Sequence, residues 1–95
     1  MLIIEWKRRA IFDLIEILDY ISQRNPKAAD KMEQLINDAV EKLSYSPYSG
    51  RMGRVAGTRE KIAHPNYIVV YRVLSDKIEI VNVVHARRNY PETVI

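Results

Sequence analysis

The chain has 95 residues, 47 % of them apolar and 28 % charged, with a net charge of +3. Single cores are usually built from roughly 100–200 residues, so this is one domain, 1–95, with no room for a cofactor fold. There is no cysteine, which removes disulfide frameworks and thiolate metal sites, and no apolar run nears the ~18 residues of a membrane span.

Residues 2–6 (Leu-Ile-Ile-Glu-Trp) read as a short strand. The charges Lys7-Arg8-Arg9 follow this apolar stretch, the reverse of a secretory signal, so the expected place of the protein is the cytoplasm. From Ile11 the apolar spacing becomes helical: Ile11, Leu14, Ile15, Leu18 and Ile21 recur at i, i+3, i+4 and i+7. Asp13, Glu16, Tyr20 and Gln23 then fall on the wet face. Asn25-Pro26 supplies an N-cap and a first-turn proline. A second amphipathic helix follows, with Ala28/Ala29, Met32, Leu35/Ile36, Ala39/Val40 and Leu43 on one stripe. It should stop near Ser44-Tyr45-Ser46-Pro47, because the residue before proline disfavours the helical region. The short connection makes the two helices an antiparallel hairpin.

Residues 46–58 contain Gly50, Gly53 and Gly57 and read as an exposed loop. Three strands come next. Arg59–Ala63 ends at the turn His64-Pro65-Asn66. Tyr67–Leu74 is almost wholly apolar and suits a central strand covered on both faces. Ser75-Asp76-Lys77 turns the chain into the last strand, Ile78–Val84. The fold class is α+β in the order β-α-α-β-β-β. An N-terminal strand and a helical hairpin pack on an antiparallel-rich twisted sheet, since neither layer hides its apolar side alone.

Residues 1–50 sum to −1 and residues 51–95 to +4. A basic, arginine-rich second half suits an acidic partner, nucleic acid or an acidic polypeptide. No metal site is expected: the two histidines, His64 and His85, lack close second ligands. No cofactor is expected either, because the glycines of 50–57 do not match a phosphate-binding fingerprint. His64, before a proline, is read as a turn histidine bonding its own backbone. Tyr67, Val69, Tyr71 and Val73 share one face, and Ile68, Val70, Arg72 and Leu74 the other. Arg72 needs either a carboxylate partner, Glu79 or Glu60, or an exposed position where a ligand docks. Arg87 and Arg88 leave the last strand together. With Arg59 and Arg72 they are candidates for a cluster that binds phosphate or carboxylate; the plainer alternative is a solvated strand end.

Residues 57–73 (GTREKIAHPNYIVVYRV) and 81–91 (VNVVHARRNYP) resemble the C-terminal half of the ParE/RelE superfamily of type II toxins. The whole chain is similar to its fold, and these two motifs look like ParE-type toxins of plasmid-stabilisation modules. The resemblance implies a cytoplasmic toxin paired with a small antitoxin that has a DNA-binding N-terminal region and a disordered C-terminal segment. In ParE-like branches the target is DNA gyrase, trapped on cleaved DNA; in RelE-like branches it is mRNA on the ribosome, cut without metal. RelE-like ribonucleases often carry Tyr-Arg-x-x-Tyr on the central strand. Here that stretch is Tyr67-Ile-Val-Val-Tyr71, and an aliphatic Ile68 cannot stabilise a phosphorane. The gyrase reading therefore leads, with Arg87, Arg88, Tyr90, Arg59 and Arg72 as the target-binding residues. In the ribonuclease alternative His85, Arg87, Tyr90 and Arg72 would carry catalysis, through proton transfer and phosphate clamping. A third reading is an inert relative that only binds its antitoxin.

Overall fold

The computed structural model describes residues 1–87. The elements are β1 (Ile3–Trp6), α1 (Arg8–Ser22), α2 (Pro26–Leu43), β2 (Arg51–Met52), β3 (Arg59–His64), β4 (Tyr67–Val73) and β5 (Lys77–His85). The strands form one sheet in the order β1-β5-β4-β3-β2. β1 runs parallel to β5, and every other pair is antiparallel. The expected α+β order is present, with one addition. The stretch read as an exposed loop contains β2, paired through Arg51 with Glu60 and through Met52 with Arg59.

The helical hairpin covers one face of the sheet. Met32, Ile36, Val40 and Leu43 of α2 join Tyr67, Val69, Tyr71, Ile78, Ile80 and Val83 in the main core. Each aliphatic or aromatic side chain fully buried there contributes about 1.5–3 kcal/mol. β4 is buried on both faces, as its unbroken apolar run predicts: Ile68 and Val70 pack with Val84 in a second cluster on the far face. α2 begins as expected. The Asn25 side chain accepts the Ala28 N–H at 3.1 Å, and Pro26 occupies the first turn. Its last turn tightens, with Ser44 and Tyr45 N–H bonded to Glu41 and Lys42 carbonyls.

α1 departs from its expected orientation. Leu14, Leu18 and Ile21 pack inward as predicted, but Ala10 and Ile17 complete the stripe. Ile11 and Ile15 face outward, 45 % and 57 % exposed. Asp13, expected on the wet face, is turned toward the sheet instead. Its Oδ2 accepts the Asn82 side-chain amide at 2.9 Å and the Val83 N–H at 3.0 Å. The cause is the end of β1 at Trp6, which leaves β5 without a neighbouring strand beyond Ile80. A buried N–H there requires an acceptor, and Asp13 supplies it. The side chain of Ala10 is small enough to let the helix approach.

A β-bulge shapes β5 at the same point. Val70 pairs with Asn82 and Tyr71 with Ile80, so Val81 is the extra residue. A second irregularity lies in β3, where Ile62 pairs with Ile68 and His64 with Tyr67. Bulges bend a strand and re-aim its side chains, and both of these border functional candidates. No helix of the described residues is long and apolar enough to cross a membrane.

Candidate functional surfaces

The bulge in β3 brings His64 beside Tyr67, with ring centroids 6.2 Å apart. His85, directly across β5, meets the same tyrosine edge-on at 5.3 Å. Tyr67 thus sits between both histidines of the chain. Burial, with a smaller effect of the Tyr20 phenol, pushes its pKa above the ordinary tyrosine value, so it remains a protonated donor. Each imidazole spends its Nδ1 on a backbone N–H. His64 accepts from Asn66 at 3.0 Å and His85 from Arg87 at 3.2 Å. In both rings Nδ1 is thereby occupied as an acceptor, which leaves Nε2 as the nitrogen open to a further partner. The bond expected of His64 as a turn histidine is present; its place in an aromatic cluster was not legible.

Arg59 and Arg72 do not gather at one point. Arg59 pairs with Tyr71, whereas Arg72 is the next residue along β4, so the two point to opposite faces of the sheet. The expected convergence of Arg59 with Arg72 is therefore overturned by strand register. Arg59 Nη1 donates to the Gly50 carbonyl at 2.8 Å, and its guanidinium lies 4.9 Å from the Tyr48 ring centre. That residue braces the β2 loop. Arg72 lies opposite Glu79, but Glu79 approaches Lys7 and Lys77, and Glu60 approaches Arg51 and Arg54. Neither candidate carboxylate is within ion-pair distance of Arg72 among the described residues. Arg87 is exposed in the turn after β5. Arg88 and Tyr90 lie outside the described residues.

The β2 loop is held from beneath. Glu60, 2 % exposed, accepts from Arg51 Nε at 2.9 Å and from the Arg54 N–H at 3.2 Å. The buried Tyr71 hydroxyl accepts the Gly50 N–H at 3.0 Å and donates to the Pro47 carbonyl at 2.7 Å. Gly50 is required by this approach: a Cβ there would lie 2.6 Å from that hydroxyl and 2.7 Å from the Glu60 carbonyl. Gly57 turns the loop with φ +81°, a conformation that favours glycine.

A second basic surface joins residues distant in sequence. A pocket of about 400 Å3 is lined by Lys7, Arg8, Arg9, Phe12, Arg72 and Val81. The first four are close in sequence, and Lys7-Arg8-Arg9 was the signal available. Their junction with Arg72 depends on the β1–β5 pairing and the Val81 bulge. Among the described residues, no group of three His, Asp or Glu side chains is arranged to hold a metal.

Comparison with known proteins agrees with this architecture. A family model described as "ParE toxin of type II toxin-antitoxin system, parDE" matches residues 4–90. Putative toxin Y4kP of Sinorhizobium fredii is 40 % identical over 92 residues, covering 96 % of this chain and 95 % of that protein. Toxin RelE2 of Caulobacter vibrioides is 37 % identical over 83 residues, 87 % of this chain and 93 % of its own. A structure of the chromosomal ParDE toxin–antitoxin system from P. aeruginosa superposes with a TM-score of 0.77 at 28 % identity, covering 90 % of this chain and 96 % of that one. With a family model spanning nearly its whole length and two toxins at this identity, the chain belongs to the ParE toxin family of type II toxin–antitoxin systems.

Proposed function

We propose that this chain is a cytoplasmic toxin that inhibits DNA gyrase by trapping it on cleaved DNA. A cognate antitoxin neutralises it through a C-terminal segment that is disordered alone and folds along the toxin. Membership of the parDE toxin family supports the antitoxin partnership. The observation that carries the choice of a non-hydrolytic mode is the hydrogen bonding of the two imidazoles. RNA cleavage through the 2′-hydroxyl needs a free lone pair to accept its proton, a donor for the leaving oxygen and cations on the phosphate. Here both Nδ1 atoms already accept backbone N–H groups. Ile68, where ribonuclease relatives often have arginine, is buried with Val70 and Val84. Arg59 is committed to the β2 loop. In this reading Arg87 and Arg88 with Tyr90 contact the target, and Arg59 and Arg72 are secondary.

One observation favours the ribonuclease alternative: both histidines flank a protonated tyrosine at one end of the sheet. Two assays with purified toxin separate the readings, supercoiling by gyrase and mRNA cleavage on programmed ribosomes. Inhibited supercoiling with cleaved DNA trapped supports the proposal. Cut transcripts with intact supercoiling refute it and would give His85 and Arg87 catalytic work.

A further inference from the structure

We propose that the pocket between the start of α1 and the Arg72–Val81 corner of the sheet receives an acidic segment of the antitoxin with a large apolar anchor. This rests on the antitoxin partnership above and adds to it a place and a chemistry.

The pocket has an apolar interior and a cationic rim. Val81 is 2 % exposed at its floor, and Phe12 stands in its wall 55 % exposed. Ile15, 57 % exposed, continues the apolar surface up α1, which suits a partner helix that places anchors one turn apart. Lys7, Arg8, Arg9 and Arg72 surround this surface. Their neutralisation inside the chain is incomplete. Lys7 is 3.7 Å from Glu79 and Arg9 is 3.5 Å from Asp13, while Arg8 and Arg72 have no carboxylate in range among the described residues. Nor does helix stability account for the cations. The first turn of α1 contains no acidic residue, and positive charge at a helix N-terminus opposes the macrodipole.

The combination selects its occupant. A nucleic-acid backbone would satisfy the rim but leave the Val81 floor facing its phosphates. An acidic peptide with a leucine or phenylalanine anchor satisfies both, with charge-assisted bonds around a desolvated contact. A second groove, between β1 and the end of α2, differs in charge. It is lined by Asp38 and Glu41 as well as Lys42, so it gives an acidic segment no comparable attraction.

The test uses the full-length antitoxin encoded beside this chain, purified separately, with its affinity for the toxin measured at two salt concentrations. Phe12→Ala and Arg8→Glu, both at exposed positions, should weaken binding on the order of ten- to a hundredfold. The Arg8→Glu effect should shrink at high salt. Tyr45→Ala, in the other groove, should leave affinity within about twofold, as for a residue outside the energetic centre of an interface. Thermal melts establish that the variants fold, and both pocket variants should still kill cells, now without rescue by antitoxin. Unchanged affinity of Phe12→Ala and Arg8→Glu overturns the pocket while leaving the antitoxin partnership intact. Lost killing with unchanged affinity also overturns it and gives the pocket to the target. A wild-type toxin that binds no antitoxin sinks the partnership itself.

Discussion

Replacing Asp13 by alanine probes the contact that sets the rotation of α1 against the sheet. One carboxylate oxygen accepts both the Asn82 amide and the Val83 N–H, at 2.9 and 3.0 Å. Hydrogen bonds to a charged group contribute about 1.5–3 kcal/mol each, so two such bonds set a ceiling of about 3–6 kcal/mol. Desolvation of the carboxylate works against this gain. Burial is the largest influence on Asp13 and raises its pKa above the ordinary value, despite its bonds to Val83 and Asn82 and the nearby Arg9. The net loss in Asp13→Ala should therefore be about 1.5–3 kcal/mol, since the buried Val83 N–H loses its acceptor and the Asn82 amide loses one bond. For a domain of this size each kcal/mol moves the thermal midpoint by about 4–8 °C. Urea and thermal unfolding measure it directly. A loss below about 0.5 kcal/mol, typical of a surface change, would refute the contact. The pH dependence follows from the raised folded-state pKa. The contribution of Asp13 is fully present below its unfolded pKa and is lost as pH rises through the folded one. Asp13→Asn does not titrate, so the advantage of the wild type over it should narrow across that window; a widening advantage would contradict desolvation as the dominant cause.

Glu60→Ala should loosen the β2 loop at a cost of about 1–3 kcal/mol, and limited trypsin digestion should then cut faster at Arg51 and Arg54; an unchanged digestion rate would show that the loop is held by other contacts. His85→Gln should leave gyrase inhibition within a few-fold, whereas a ribonuclease using His85 for proton transfer should lose about 10²–10⁴ in rate. Replacing Arg87 and Arg88 together by alanine should weaken target binding about ten- to a hundredfold per residue, abolish killing and preserve antitoxin binding. A double variant that folds and kills normally would reduce these arginines to a solvated strand end.

Which parts of this molecule the sequence revealed depended on how many answers each segment allowed. α2 has one apolar stripe, so periodicity alone places Met32, Ile36, Val40 and Leu43 inward, where they pack. α1 has two, one through Ala10, Leu14, Ile17 and Ile21 and one through Ile11, Phe12 and Ile15. Periodicity cannot choose between them; the open edge of β5 does, by drawing Asp13 inward. The apolar run of β4 marks a central strand, and its period-two alternation separates Val69 and Tyr71 from Ile68 and Val70 as the packing does. The opposed faces of Arg59 and Arg72 were not legible, because parity between strands needs a register, and turns and bulges set that register. The same holds for the basic pocket, which joins Arg8 and Phe12 to Arg72 across a fold crossover and a bulge. The motif resemblance locates the family, whereas residue types alone could not show that Arg59 and Arg72 lie on opposite faces of the sheet.

Trapping of gyrase is read out by incubating the purified toxin with gyrase and supercoiling substrate DNA, then denaturing the protein and scoring cleaved DNA. A toxin acting on gyrase should produce cleaved DNA in proportion to its concentration, and added antitoxin should suppress it. Unimpaired supercoiling with no cleaved DNA, at concentrations of the same preparation that cut mRNA on ribosomes, would rule out gyrase as the target.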